Sequence, residues 1–122
     1  MKKVMAFGVF DGLHDGHRYF LREAKKHGDY CIAVVARDSA VQEIKHRLPR
    51  DSAETRAKAI RDTGLADLVV IGDETQGSWE ILRAHKPDVI ALGFDQAGLR
   101  EELEVLRNTF TIELVDITQV KR

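Results

Sequence analysis

Val4-Met5-Ala6-Phe7-Gly8-Val9-Phe10-Asp11-Gly12-Leu13-His14-Asp15-Gly16-His17 is the stretch on which the reading of this chain turns. The apolar run from Val4 to Val9 reads as a strand, and a turn carrying glycines and aspartates follows it. From His17 to His27 the side chains fall into helical periodicity, with Phe20, Leu21 and Ala24 on one face and Arg22, Lys25 and Lys26 on the other. The segment therefore carries a strand straight into a helix through one glycine-bearing turn.

Working outward, the same alternation runs to the end of the chain without a Pro-rich, Ser-rich or low-complexity linker. Further apolar runs lie at Tyr30 to Ala36, Leu68 to Ile71, Val89 to Leu92 and Thr111 to Val115. Amphipathic stretches lie between and around them at Ser39 to Lys45, Ser52 to Thr63, Trp79 to His85 and Leu99 to Asn108. Runs apolar on both faces are what a parallel sheet covered by helices requires. The prediction is an α/β protein built on a doubly wound, parallel five-stranded sheet, with residues 1–122 forming one domain. In such sheets ligands bind at the carboxyl ends of the strands, near the switch in strand order, so the turns after the strands are where function is sought.

Composition sets the outer limits. At 122 residues and 43% hydrophobic, the chain suits one domain burying roughly two-thirds of its unfolded surface. The net charge of -1 conceals an asymmetry: residues 1–61 carry 13 basic and 8 acidic side chains, and residues 62–122 carry 6 and 12. Halves of +5 and -6 suggest an anionic ligand for the first half, or faces that simply differ. No apolar run approaches the roughly 20 residues of a membrane helix. The opening Met1-Lys2-Lys3 and its short apolar run break too soon, at Asp11, for a signal peptide. The expectation is a cytoplasmic protein with no membrane partner. The single cysteine, Cys31, lies in an apolar run and reads as a buried packing thiol. His27 and His85 sit where helices end, where a partial positive charge suits the dipole.

Within the first turn, neither G-x-G-x-x-G nor G-x-x-x-x-G-K-[ST] is present, which removes the dehydrogenase and P-loop readings. What stands there is His14-Asp15-Gly16-His17 at a helix start, where free N–H groups and the helix dipole favour an anion. Two imidazoles three residues apart share one side of the first turn, and Gly16 between them has no Cβ to hold a phosphate off. A zinc site built on these histidines has only Asp11 or Asp15 nearby as a third ligand.

Phe10-Asp11-x-x-His14-x-Gly16-His17 after an apolar strand resembles the nucleotidylyltransferase superfamily, which includes glycerol-3-phosphate cytidylyltransferases, phosphopantetheine adenylyltransferases and archaeal-type FAD synthases. Val34-Val35-Ala36-Arg37-Asp38, Ile44-Lys45-x-Arg47-x-Pro49, Glu54-x-Arg56 and Lys86-Pro87-Asp88-x-Ile90-Ala91-Leu92-Gly93-x-Asp95-Gln96 look closest to the archaeal-type FAD synthases. The resemblance implies a Rossmann-like domain. It also implies in-line attack by an acceptor's phosphate on the α-phosphorus of a nucleoside triphosphate, releasing pyrophosphate, with magnesium held by phosphate oxygens and water. The implied substrates are ATP and FMN, with CTP and a glycerol 3-phosphate type of acceptor as the alternative. The implied catalytic residues are His14, His17 and Lys45, the two histidines donating to the triphosphate. Gly8, Val9, Phe10, Gly16, Asp95 and Gln96 fall on the nucleotide, and Asp11, Arg37, Asp38, Arg47 and Arg56 on phosphate or acceptor. No residue is assigned to a metal.

Several of these positions have a second reading. Lys45 and Arg47 are otherwise solvated loop charges, although His46 and Arg50 beside them favour anion binding. Arg56 is otherwise a helix-surface cation, and Asp95 and Gln96 otherwise helix caps. Asp11 reads as an organiser of the turn rather than a base, because the attacking phosphate is already ionised. Trp79 reads as a core aromatic ahead of a flavin-stacking platform.

The chain also departs from the family's pattern. Leu48 stands where archaeal-type enzymes usually carry a basic residue, and the Ser/Thr-rich stretch of the last helix has no counterpart in Asp116-Ile117-Thr118-Gln119-Val120-Lys121-Arg122. A non-catalytic nucleotide-binding module is therefore the second class of function. Nucleic-acid binding is not expected, since the basic residues are few, mixed with acids and not interleaved with exposed aromatics. Relatives commonly dimerise, so a homodimer is in keeping with the resemblance.

Overall fold

Three alanines in a row decide how close a helix comes to this sheet. In the computed structural model, which describes all residues except 76, 94, 95 and 118–122, strand β1 (Lys3–Gly8) pairs in parallel with β2 (Tyr30–Val35) and β4 (Val89–Leu92). The register sets Ala6 opposite both Ala33 and Ala91. Residues alternate between the two faces of each strand. Val4, Ala6, Cys31, Ala33, Val35, Val89 and Ala91 go to one core cluster, and Met5, Ile32, Val34, Ile90 and Leu92 to the other. Both clusters are buried, which is why these strands read as continuous apolar runs.

β3 (Leu68–Ile71) and β5 (Glu113–Asp116) complete an all-parallel sheet of order β3-β2-β1-β4-β5. Helix α1 (Asp15–Lys25) lays Leu21 and Ala24 on the alanine face, joined by Ala57 and Ile60 of α3 (Ala53–Thr63). On the other face, α4 (Glu80–His85) contributes Ile81 and Leu82, and α5 (Ala97–Phe110) contributes Leu103. The eight-residue α2 (Asp38–Lys45) buries Val41. The chain moves outward from β1 to β2 and β3 and then crosses to β4 on the other side of β1. The switch in strand order, and with it the ligand crevice, therefore falls at the carboxyl end of β1.

The expected doubly wound architecture is present, with element ends shifted by a residue or two, as in α1, which runs Asp15–Lys25 rather than His17 to His27. The last strand starts at Glu113 rather than Thr111, because Thr111 takes a left-handed conformation (φ 54°) to end α5 while the Ile112 amide donates to the Arg107 carbonyl at 2.9 Å. Trp79 precedes α4 rather than opening it, at φ 56°. Ser52 caps α3, its Oγ accepting from the Thr55 amide at 3.2 Å. Among the described residues no helix is long and apolar enough to cross a membrane.

The far end of the sheet is tied by carboxylates. Asp29 accepts from the Lys2 amide and Asp88 from the Lys3 amide, each at 2.9 Å, and Asp67 accepts from the Cys31 amide at 2.8 Å and from the Lys25 ammonium. Burial pushes the Cys31 thiol up to about 11, only partly relieved by the Lys25 charge, so the thiol stays protonated and serves as packing. Replacing Ile90, fully buried on β4, by Ala is expected to cost about 2–5 kcal/mol. Urea unfolding should show a lower midpoint at unchanged slope.

Candidate functional site: the turn after the first strand and its cavity

The helix start is built by its own histidines. His14 is the N-cap of α1 in extended conformation (φ -131°), and its Nδ1 accepts from the Gly16 amide at 3.1 Å. In return the His14 amide donates to Nδ1 of His17 at 3.3 Å. The arrangement is a capping box made of imidazoles instead of Ser and Glu. The rings stack with centroids 3.8 Å apart and planes 21° apart. A ring whose Nδ1 accepts an N–H carries the proton of its neutral form on Nε2. Both histidines are therefore set as Nε2–H donors, and both line the cavity.

Gly16 is required here for a reason the sequence hides. A Cβ at this position would lie 2.9 Å from Cε1 of His14, so a side chain there would displace the capping ring itself. Phe10, in the left-handed region at φ 55°, is 3% exposed. Its ring lies under Gly8, where a Cβ would come within 2.7 Å, and meets His17 edge-on at 5.6 Å. Phe10 thus supports the second imidazole from the core side.

The cavity around this turn has a volume of about 1550 Å³, larger than the usual range of one small-ligand pocket and ample for two substrates side by side. Gly8, Val9, Phe10, Asp11, His14, Gly16, His17, Arg37, Lys45, Arg47 and Gln96 all line it. Of the basic first half of the chain, Arg18, Lys25, Lys26, Arg56 and Lys58 are held in ion pairs with Asp15, Asp67, Glu23, Asp38 and Asp62. Among the described residues, the cations that face the cavity are Arg37, Lys45 and Arg47. Arg37 donates from Nε to the Gly72 carbonyl at 2.7 Å, which joins the turns after β2 and β3.

Arg56 occupies neither of the places expected for it. It is 1% exposed and engages the Asp51 carbonyl through Nε (2.9 Å), the Val9 carbonyl through Nη1 (2.7 Å) and Asp38 through Nη2 (2.6 Å). It is a clamp behind the cavity wall rather than a contact on its surface, and Asp38 is its partner. Asp11 works beside it: its two oxygens accept from the amides of Arg50 (2.7 Å) and Asp51 (3.0 Å). Burial alone would raise this carboxyl, but the two amide bonds and the charges of Arg56 and Arg50 outweigh it and hold Asp11 below the ordinary aspartate value.

Gln96 fastens the turn after β4 to β1. Its Oε1 accepts from the Gly93 amide and its Nε2 donates to the Phe7 carbonyl, both at 2.7 Å. Asp95 and Thr118 lie outside the described residues. Besides Trp79, the turn after β3 brings Gly72, Asp73 and Glu74 to the cavity, three residues not among the candidates from sequence. Its signal was available, since Gly72-Asp73 directly follows an apolar strand.

A doubly wound α/β sheet with a histidine-capped, anion-ready helix start at its switch point defines a class of phosphate-handling proteins. A cytidylyltransferase-like family model matches residues 5–120. The FAD synthase of Thermococcus sibiricus is 43% identical over 106 residues, covering 84% of this chain and 72% of that protein. That of Pyrococcus abyssi is 48% identical over 105 residues, covering 83% and 71%. Among solved structures, the lipopolysaccharide core biosynthesis protein of Thermoplasma volcanium aligns with a TM-score of 0.85 at 35% identity, covering 100% of this chain and 98% of that one. Pantothenate synthetase of Thermus thermophilus aligns at 0.67 and 18% identity, covering 100% of this chain and 57% of that one, a likeness of fold alone. The chain belongs to the cytidylyltransferase-like family of nucleotidyltransferases.

The depressed Asp11 carboxyl makes a stability test with a defined sign. Its contribution is complete above the ordinary aspartate value near 4 and is lost as pH falls through the lower folded value. Asp11→Ala should lower the urea midpoint by a constant amount from pH 7 to about pH 5, and the gap to the parent protein should close on further acidification.

Proposed function

We propose that this chain transfers the adenylyl group of ATP to FMN. An oxygen of the FMN phosphate forms a bond to the α-phosphorus, the bond from that phosphorus to the bridging oxygen breaks, and pyrophosphate leaves. The observation that carries the reading is the imidazole capping box, which holds two Nε2–H donors and a helix N-terminus at one spot beside Arg37, Lys45 and Arg47. The relatives named FAD synthase, 40–48% identical over most of the chain, support ATP and FMN as the pair.

In-line phosphoryl chemistry asks the protein to position anions and to meet the charge that spreads over the phosphate oxygens, with little proton transfer. His14 and His17 donate to oxygens of the triphosphate and strengthen as charge develops. The positive end of the α1 dipole acts in the same direction. Lys45 and Arg47 follow from the end of α2, where His46 turns the chain through φ 58°, and screen repulsion between two anionic substrates. Asp11 and Arg56 hold the walls. Gln96 keeps the nucleotide-side turn in register with β1.

A magnesium ion accompanying the triphosphate would neutralise part of its charge. The residues fit an ion held by phosphate and water. Among the described residues no three His, Cys, Asp or Glu are grouped to hold a metal, and the cavity's Asp11 and Asp73 already accept backbone amides.

Pyrophosphate release measured for ATP and CTP, each paired with FMN, glycerol 3-phosphate or phosphopantetheine, is expected for ATP with FMN. Absence of turnover with every pair, together with tight ATP binding by calorimetry, would establish a binding module instead. A pair of variants separates the cap from the chemistry. His17→Ala should lower kcat by about 100- to 1000-fold, the scale for one preorganised donor. His14→Asn retains an N-cap acceptor but no Nε2 donor, so the thermal midpoint should stay near that of the parent while kcat falls on the same scale. An unchanged kcat in both would remove the imidazoles from the mechanism.

A further inference from the structure

The cavity has two sides about β1, and they differ in charge and chemistry. On the β4–α5 side, the described lining residues are Gly93, Gln96, Gly98, Leu99 and Glu102, with no cation among them. Among the described residues, the cavity-facing cations Arg37, Lys45 and Arg47 lie on the β2 side. The acceptor must bring a phosphate of its own to the α-phosphorus and so belongs beside Arg37. Arg37 is bonded to Gly72, so a body extending from that phosphate runs into the turn between β3 and α4.

That turn is rigid. The Gly72 amide donates to the Val35 carbonyl at 2.9 Å, the Ile81 amide to Asp73 at 3.0 Å, and Nη1 of Arg83 to the Ser78 carbonyl at 2.7 Å. At its end stands Trp79, half-buried, left-handed at φ 56° and perpendicular to Phe7 at 6.1 Å. A bulky residue in the left-handed region is strained, and such strain gathers at ligand clamps. Here it brings the largest aromatic surface of the chain to the cavity wall, where Asp73 and Glu74 add acceptors for N–H and O–H groups.

We infer that Trp79 is the platform for the acceptor's ring, so that this side of the cavity selects a phosphate monoester bearing a flat heteroaromatic body with polar hydrogens. The assignment rests on the FMN reading above, which it extends to a specificity-determining residue. Trp79 is the chain's one tryptophan, so its emission reports this spot alone. FMN added to the parent protein should quench that emission saturably, beyond the inner-filter loss seen with free tryptophan, whereas glycerol 3-phosphate and ATP should leave it unchanged. Trp79→Ala should raise KM for FMN about tenfold or more, the scale of losing one stacked ring, with KM for ATP within about twofold. Trp79→Phe should recover most of the loss. FMN turnover without quenching, or a Trp79→Ala effect that is absent or falls equally on both KM values, would overturn the platform and leave the proposed function standing. Saturable quenching by FMN without pyrophosphate release would support the platform and fault the proposed activity. The fluorescence titration needs no variant, so it decides the point even if Trp79→Ala fails to fold.

Discussion

Arg56 carries a full positive charge with 0% of its side chain exposed, and its hydrogen bonds go to three separate pieces of chain. Val9 lies in the turn after β1, Asp38 opens α2, and Asp51 precedes α3. A charge removed from water must find partners or be strongly destabilising, so these segments are drawn to one point in every folded molecule. The planar fork of a guanidinium suits three diverging acceptors in a way a lysine ammonium does not. The same group satisfies the carbonyls of Val9 and Asp51. Asp11 repeats the link from the other direction, taking the amides of Arg50 and Asp51. The cavity wall is thus held from behind, leaving Arg37, Lys45 and Arg47 to face the cavity.

The two imidazoles depend on that frame but add a constraint of their own. Each ring's Nδ1 is occupied by a backbone amide, so a helix cap and a proton position are set by the same pair of bonds. The Ser-and-Glu version of a capping box satisfies the amides equally well, yet it presents no N–H toward an anion. Histidine at both corners does the structural task and orients two donors, and Gly16 is the residue that leaves room for it.

How far the sequence could be read depended on whether an interaction is local or crosses the fold. The five strands are apolar on both faces and advertise a covered parallel sheet, and the His14 to His17 tetrad lies within one helical turn, so both were legible. Arg56 was not, because nothing near Glu54-x-Arg56 reveals that Val9, 47 residues away, needs its Nη1. Gln96 was legible as a member of the turn after β4. Its bond to Phe7, 89 residues distant, has no local signature. Trp79 packs against the core cluster in keeping with its hydrophobicity, whereas the left-handed backbone that also sets it at the cavity wall has no signature in hydrophobicity. The last strand was placed two residues early because Thr and Ile favour strands, whereas Thr111 ends a helix.

The row Ala33-Ala6-Ala91 lies in the core cluster it shares with Leu21 and Ala24 of the helix that His14 caps, and none of the three lines the cavity. Side chains no longer than a methyl let α1 seat directly on the sheet. The thickness of that layer sets how high the helix start stands above the strand ends, and so how far the two donors reach. The alanines act as a spacer of fixed gauge: lengthening one would tilt or lift the helix and misalign the imidazoles without touching a residue of the site.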